Sequence, residues 1–137
     1  LMESVVLLWM VGALAGSMLF FGVVVAPLVF RVLPAESAGA FLRAFFPNYY
    51  VWGLVAAVLA AAMAAFADPI SLLLSLVVAG LFIYARQSLM PKINAARDAS
   101  LTGDQNAKTR FERLHRSSVV INAVQLVLLL AIGARQI

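Results

Sequence analysis

Six residues offer the chain's most organised polar chemistry: Phe111, His115, Ser118, Asn122, Gln125 and Leu129 recur at spacings of three and four. At about 100° per residue they fall on one narrow helical face, which predicts a polar seam running along a single helix. A second polar set, Arg86, Asn94 and Arg97 with Met90 and Ile93, shares one face of a helix just upstream. If the two helices form an antiparallel hairpin, the sets meet, and Arg86, Asn94, Arg97, His115, Ser118, Asn122 and Gln125 become candidates for binding a small anion, a lipid head group or a cofactor. Asn122 and Gln125 lie within an uncharged apolar run, where unpaired amides are costly, so they are expected to face other helices and either fix register or wall a cavity.

Other chemistries find little support. His115 is the sole histidine and cysteine is absent, so the usual three or four strong metal ligands cannot be assembled. Haem needs only one or two axial ligands, and His115 alone, His115 with Met90, or His115 from two copies stays open. No Ser-His-Asp spacing, phosphate loop or hydrolytic carboxylate pair is present, and the favoured reading is non-enzymatic, with no cofactor specified.

These residues sit in an oily chain. Of 137 residues 64% are hydrophobic and 12% charged, and the mean hydropathy is +1.01. Such values lie outside the range of soluble domains and predict an integral membrane protein. Uncharged apolar runs at 4–30, 44–67, 69–85 and 117–134 each approach or exceed the roughly 17 residues that cross a bilayer. Helices are the elements that satisfy backbone groups in lipid here, since the runs lack the alternation of barrel strands. The expected fold is therefore all-α: one domain over 1–137, a four-transmembrane-helix up-down bundle with helices near 4–31, 44–67, 69–99 and 104–134. A short helix is expected near 35–46, lying in the interface or running into helix two, and helices three and four should extend into the cytoplasm. The first run has no basic residue before it and is too long for a signal-peptide core, so it is read as a retained helix.

Charge placement gives the orientation. Of the ten Lys and Arg, two lie between helices one and two, seven between helices three and four, and one after helix four. The positive-inside rule then puts 31–47 and 86–116 in the cytoplasm, with both termini and the Asp68 turn outside, in the cytoplasmic (inner) membrane. The net charge of +4 is thus a topology signal, and membrane lipids rather than nucleic acid are the expected partners.

Local signals refine the helices. Gly12, Gly16 and Gly22 form a small-residue band on helix one suited to close packing by another helix of the same chain, a second copy, or a partner membrane protein to which this chain is an accessory or transport subunit. Pro27 should kink or end helix one and Pro91 should bend helix three. Asn48, Tyr49, Tyr50 and Trp52 suggest an aromatic belt, Asp68-Pro69 a tight capped turn, and Gly103-Asp104 the stop and start of the hairpin.

Several of these pieces also carry a resemblance. Phe20-Phe21-Gly22 with Ala26-Pro27-Leu28-Val29-Phe30, Met90-Pro91-Lys92-Ile93-Asn94 with Arg97-Asp98, and Phe111-Glu112-Arg113-Leu114-His115 continuing to Ser118 and Asn122 resemble the transmembrane protein 205-like family (domain of unknown function 4149). The resemblance implies a four-helix membrane domain, similar in pattern to copper-resistance D-like and anthrone-oxygenase-like proteins, and implies no established reaction. A haem- or quinone-dependent redox enzyme remains the alternative.

Overall fold

Proline, aspartate and glycine divide the chain into four long helices. The computed structural model describes residues 1–137, all of its regular structure is helical, and the helices are α1 (Met2–Val32), α2 (Ala35–Ala67), α3 (Pro69–Leu101) and α4 (Gln105–Arg135). At about 1.5 Å per residue each is some 45–50 Å long, which exceeds the roughly 30 Å hydrocarbon core. All four are long and apolar enough to span a membrane.

The breaks have local causes. Leu33 is driven into an extended conformation (φ −96°, ψ 143°) by the Pro34 that follows it, which ends α1. Asp68, at φ −160°, caps α3 by accepting from the backbone N–H groups of Ile70 and Ser71 at 3.0 and 2.9 Å, and Pro69 begins the helix without a donor to leave unsatisfied. Gly103 at φ +96° is the single left-handed residue, and Asp104 caps α4 through the Ala107 N–H at 3.1 Å.

Three helices carry internal prolines, and they respond differently. In α1 the turn Phe21–Val25 widens to π geometry just before Pro27, and in α3 Ala85–Leu89 does so just before Pro91. The i−5 bonds, Ala26 N–H to Phe21 O and Met90 N–H to Ala85 O, give the pyrrolidine ring room without ending the helix. The expected termination of α1 near Pro27 is therefore corrected to a wide turn followed by seven more α-helical residues. Around Pro47 no widening occurs, and α2 is continuous. Residues 35–46 run into helix two, one of the two placements open to them, and form the first turns of α2, with alanines and leucines favouring helix on both sides of the proline.

The core lies away from the polar arms. Leu7, Val11, Leu14 and Met18 of α1 meet Ala57, Ala60 and Ala64 of α2, Val78, Ala79 and Phe82 of α3, and Leu129 and Ile132 of α4. Alanines at i, i+3 and i+7 make α2 a thin face, and Gly53 lets the Phe82 ring lie against the α2 backbone, where a Cβ would collide with it. Each helix packs on its neighbour in sequence, and α1 also packs on α4. Of the partners open to the Gly12, Gly16 and Gly22 band, another helix of the same chain does not pack there: all three are exposed, and a Cβ on any of them would meet nothing within 4 Å. The buried stripe of α1 is the Leu7-Val11-Leu14-Met18 face, and the glycines point away from it.

Candidate functional site

One end of the bundle opens into a cleft of about 1080 Å³. Its walls are the first turns of α2, the last turns of α3 and the first half of α4, with Phe30 of α1 at its edge. The Gly103-Asp104 turn returns α4 alongside α3, whereas the corresponding halves of α2 and α4 stand apart and leave the cleft between them.

Arg97 reaches from α3 to the α2 wall. Its guanidinium lies on the Gly39 backbone, in space that a Cβ at residue 39 would fill. The ion pairs of the chain are the N-terminus with Glu3, Arg43 with Asp98, and Arg135 with Asp68, so Arg97 has no carboxylate partner. Beside it Arg43 donates two hydrogen bonds to Asp98, Nη1 to Oδ1 and Nη2 to Oδ2, each at 2.8 Å, a fork that straps α2 to α3. Facing them across the cleft are Lys108, Phe111, Glu112, His115 and Ser118 of α4. The His115 ring stacks on Phe111, 5.9 Å between centroids and 8° from parallel, and the Ser118 hydroxyl donates to the His115 carbonyl at 2.6 Å.

The sequence-derived site is thus divided. Asn94, Arg97, His115 and Ser118 line the cleft together. Asn122 does not: its Oδ1 accepts from the Tyr49 hydroxyl at 2.9 Å. Gln125 is 2% exposed and donates to the Val78 carbonyl at 3.3 Å. Both amides tie α4 to another helix, the register role that a buried amide in an apolar setting favours. Arg86 lies within the π-turn, which breaks the phase relating it to Asn94 and Arg97, and its Nε donates to the Pro47 carbonyl at 3.4 Å.

Other participants have weaker sequence signals. Gly39 sits in Ser37-Ala38-Gly39-Ala40, four residues before Arg43, a small-residue patch that admits a large side chain from a neighbour. Read as the start of a surface-lying helix, that segment gives no reason to face α3. Glu36, Asp98 and Glu112 also line the cleft, so its charge is mixed where the basic loop suggests a cationic pocket. Tyr49 belongs to the core more than to a belt. It is 8% exposed and contacts the Phe21, Phe45, Phe46, Tyr50 and Phe82 rings, while Tyr50 borders the cleft and Trp52 donates to Ser17 Oγ at 3.0 Å. Nowhere do three or more of His, Asp and Glu gather as a metal site would require.

At the opposite end Asp68 gathers donors from two helices. Besides its capping bonds, its Oδ2 accepts from Ser71 Oγ at 2.6 Å, and its Oδ1 accepts from Arg135 Nη2 at 2.9 Å. These bonds hold the Asp68 carboxyl well below the usual carboxylate range, with Ser71 contributing most.

Four apolar helices bundled around an apolar core define an all-helical membrane protein. The chain belongs to the family described as Domain of unknown function (DUF4149), which matches residues 9–101. The match includes Gly39, Arg43, Asn94, Arg97 and Asp98 and stops before His115 and Ser118. No curated protein and no solved structure matches the chain.

Proposed function

We propose that this is a non-enzymatic protein of the cytoplasmic membrane that holds the anionic group of an amphiphilic ligand in the cleft between α2, α3 and α4. The observation that carries this reading is the unpaired Arg97 guanidinium, half-buried on Gly39 inside a cleft of about 1080 Å³. A planar guanidinium without a carboxylate partner is suited to bidentate capture of phosphate or carboxylate. The helices run alternately up and down, the cleft faces the cytoplasm, and both termini lie outside, as the basic residues of 86–116 support. Kinship with transmembrane protein 205-like proteins rests on the Pro-x-x-Asn-x-x-Arg-Asp motif at Pro91–Asp98 and the Phe-x-x-x-His-x-x-Ser motif at Phe111–Ser118. Membrane lipids are the primary partners, and the open Gly12 and Gly16 face is available to a second copy or another membrane protein.

Native mass spectrometry of protein extracted from its own membrane tests the reading. A retained anionic amphiphile that is lost from Arg97→Gln is the expected result; identical retention by wild type and Arg97→Gln rejects it. A second reading is haem held by His115 and Met90, which both line the cleft. A Soret band that disappears in His115→Ala supports haem, and a spectrum without one rejects it.

A further inference from the structure

Four charged side chains of the cleft have no ionic partner in the chain. They are the cations Arg97 and Lys108 and the carboxylates Glu36 and Glu112. With the Arg43–Asp98 pair included, cations and carboxylates of the lining balance. A cleft selecting a simple anion gains nothing from free carboxylates, which repel phosphate oxygens and favour a ligand that brings a positive charge of its own. The charges are also segregated in a useful way. Glu36 is three residues before Gly39 on α2, so it stands on the same helical face about one turn from the Arg97 guanidinium. That separation fits a head group in which a short spacer joins a phosphate to an ammonium. Glu112 and Lys108, one turn apart on α4, repeat the combination across the cleft. Phe46, Tyr50 and Ile93 supply apolar lining for an acyl chain.

We infer that the ligand is a glycerophospholipid of the phosphoethanolamine type, bound through its phosphate by Arg97 and through its primary ammonium by Glu36, with Lys108 and Glu112 offering the same pair of charges on the facing wall. The primary ammonium matters because it donates hydrogen bonds to carboxylates, as a lone anion cannot. This rests on the cleft being the ligand site proposed above, and deepens it by naming the head group.

The test uses the full chain in detergent with phosphatidylethanolamine and phosphatidylglycerol of matched acyl chains, retention of each being read by native mass spectrometry. Wild type should retain the ethanolamine lipid about fivefold to tenfold better, consistent with charge-assisted hydrogen bonds. Glu36→Gln with Glu112→Gln should bring the two lipids to equal retention, and Arg97→Gln should weaken both. Equal retention of both lipids by wild type, with loss of both in Arg97→Gln, overturns the head-group inference and leaves the anionic-amphiphile reading standing. Retention indifferent to Arg97→Gln removes both. Glycerophosphoethanolamine, which lacks acyl chains, should not compete; full competition by it overturns the lipid as the source.

Discussion

Arg97 of α3 and Gly39 of α2 are in direct contact, side chain on backbone, and a single methyl group at residue 39 would occupy the place of the guanidinium. The long Arg97 side chain can swing away, so Gly39→Ala should redirect the charge more than unfold the bundle. Ligand retention is expected to fall about tenfold or more, the scale of losing charge-assisted hydrogen bonds, with little change in thermal stability. Native mass spectrometry beside a melting curve in detergent separates the two effects, and unchanged retention would show that the position of Arg97 is immaterial.

Tyr49 and Asn122 make the opposite prediction. Their 2.9 Å hydrogen bond joins α2 to α4 outside the cleft. Tyr49→Phe and Asn122→Ala should each destabilise the fold while sparing ligand retention, and the double variant should reveal a coupling of about 0.6–1.7 kcal/mol, the range for interhelical hydrogen bonds in membranes. Purely additive losses in reversible unfolding would dissolve the pair.

Gly53 has no flexible neighbour to yield. A Cβ there meets the Phe82 ring, which is itself 1% exposed and packed on every side. Gly53→Ala is expected to destabilise by about 1–3 kcal/mol through overpacking, with partial recovery on adding Phe82→Leu. Denaturation midpoints of wild type and the two variants check both halves of the prediction.

Asp68 gives a pH dependence of definite sign. Its folded-state carboxyl titrates below the ordinary value of 3.8, chiefly because Ser71 donates to the ionised form. The stabilisation is present above that ordinary value and is lost as pH falls through the folded value, so unfolding should become easier only in strong acid. Wild type and Asp68→Asn should differ most near neutrality and converge as acid is added. A gap between their melting temperatures that stays constant down to pH 2.5 would contradict the assignment.

The spans are the most legible part of this sequence, because four uncharged runs bounded by Pro34, Asp68-Pro69 and Gly103-Asp104 leave few other ways to satisfy backbone groups in lipid. The pairing of Asn94 and Arg97 with His115 and Ser118 follows from the same hairpin logic. Arg86 escapes that logic since helical periodicity assumes uniform turns, and a π-turn is invisible to it. Asn122 and Gln125 carry the same amide whether it meets a ligand or another helix; only the positions of Tyr49 and Val78 decide. The Gly39 contact eludes a one-dimensional reading because its partner lies 58 positions away, at Arg97.

The wide turn Ala85–Leu89 makes the cleft depend on the geometry of one helical turn as well as on composition. A π-turn holds one residue more than a regular turn, so the same residues in uniform α geometry would leave everything beyond them rotated by about 100°. Arg97 would leave Gly39 and Asp98 would leave Arg43 although no lining residue had changed. The widening of that one turn, just before Pro91, therefore sets the azimuth of the entire α3 wall.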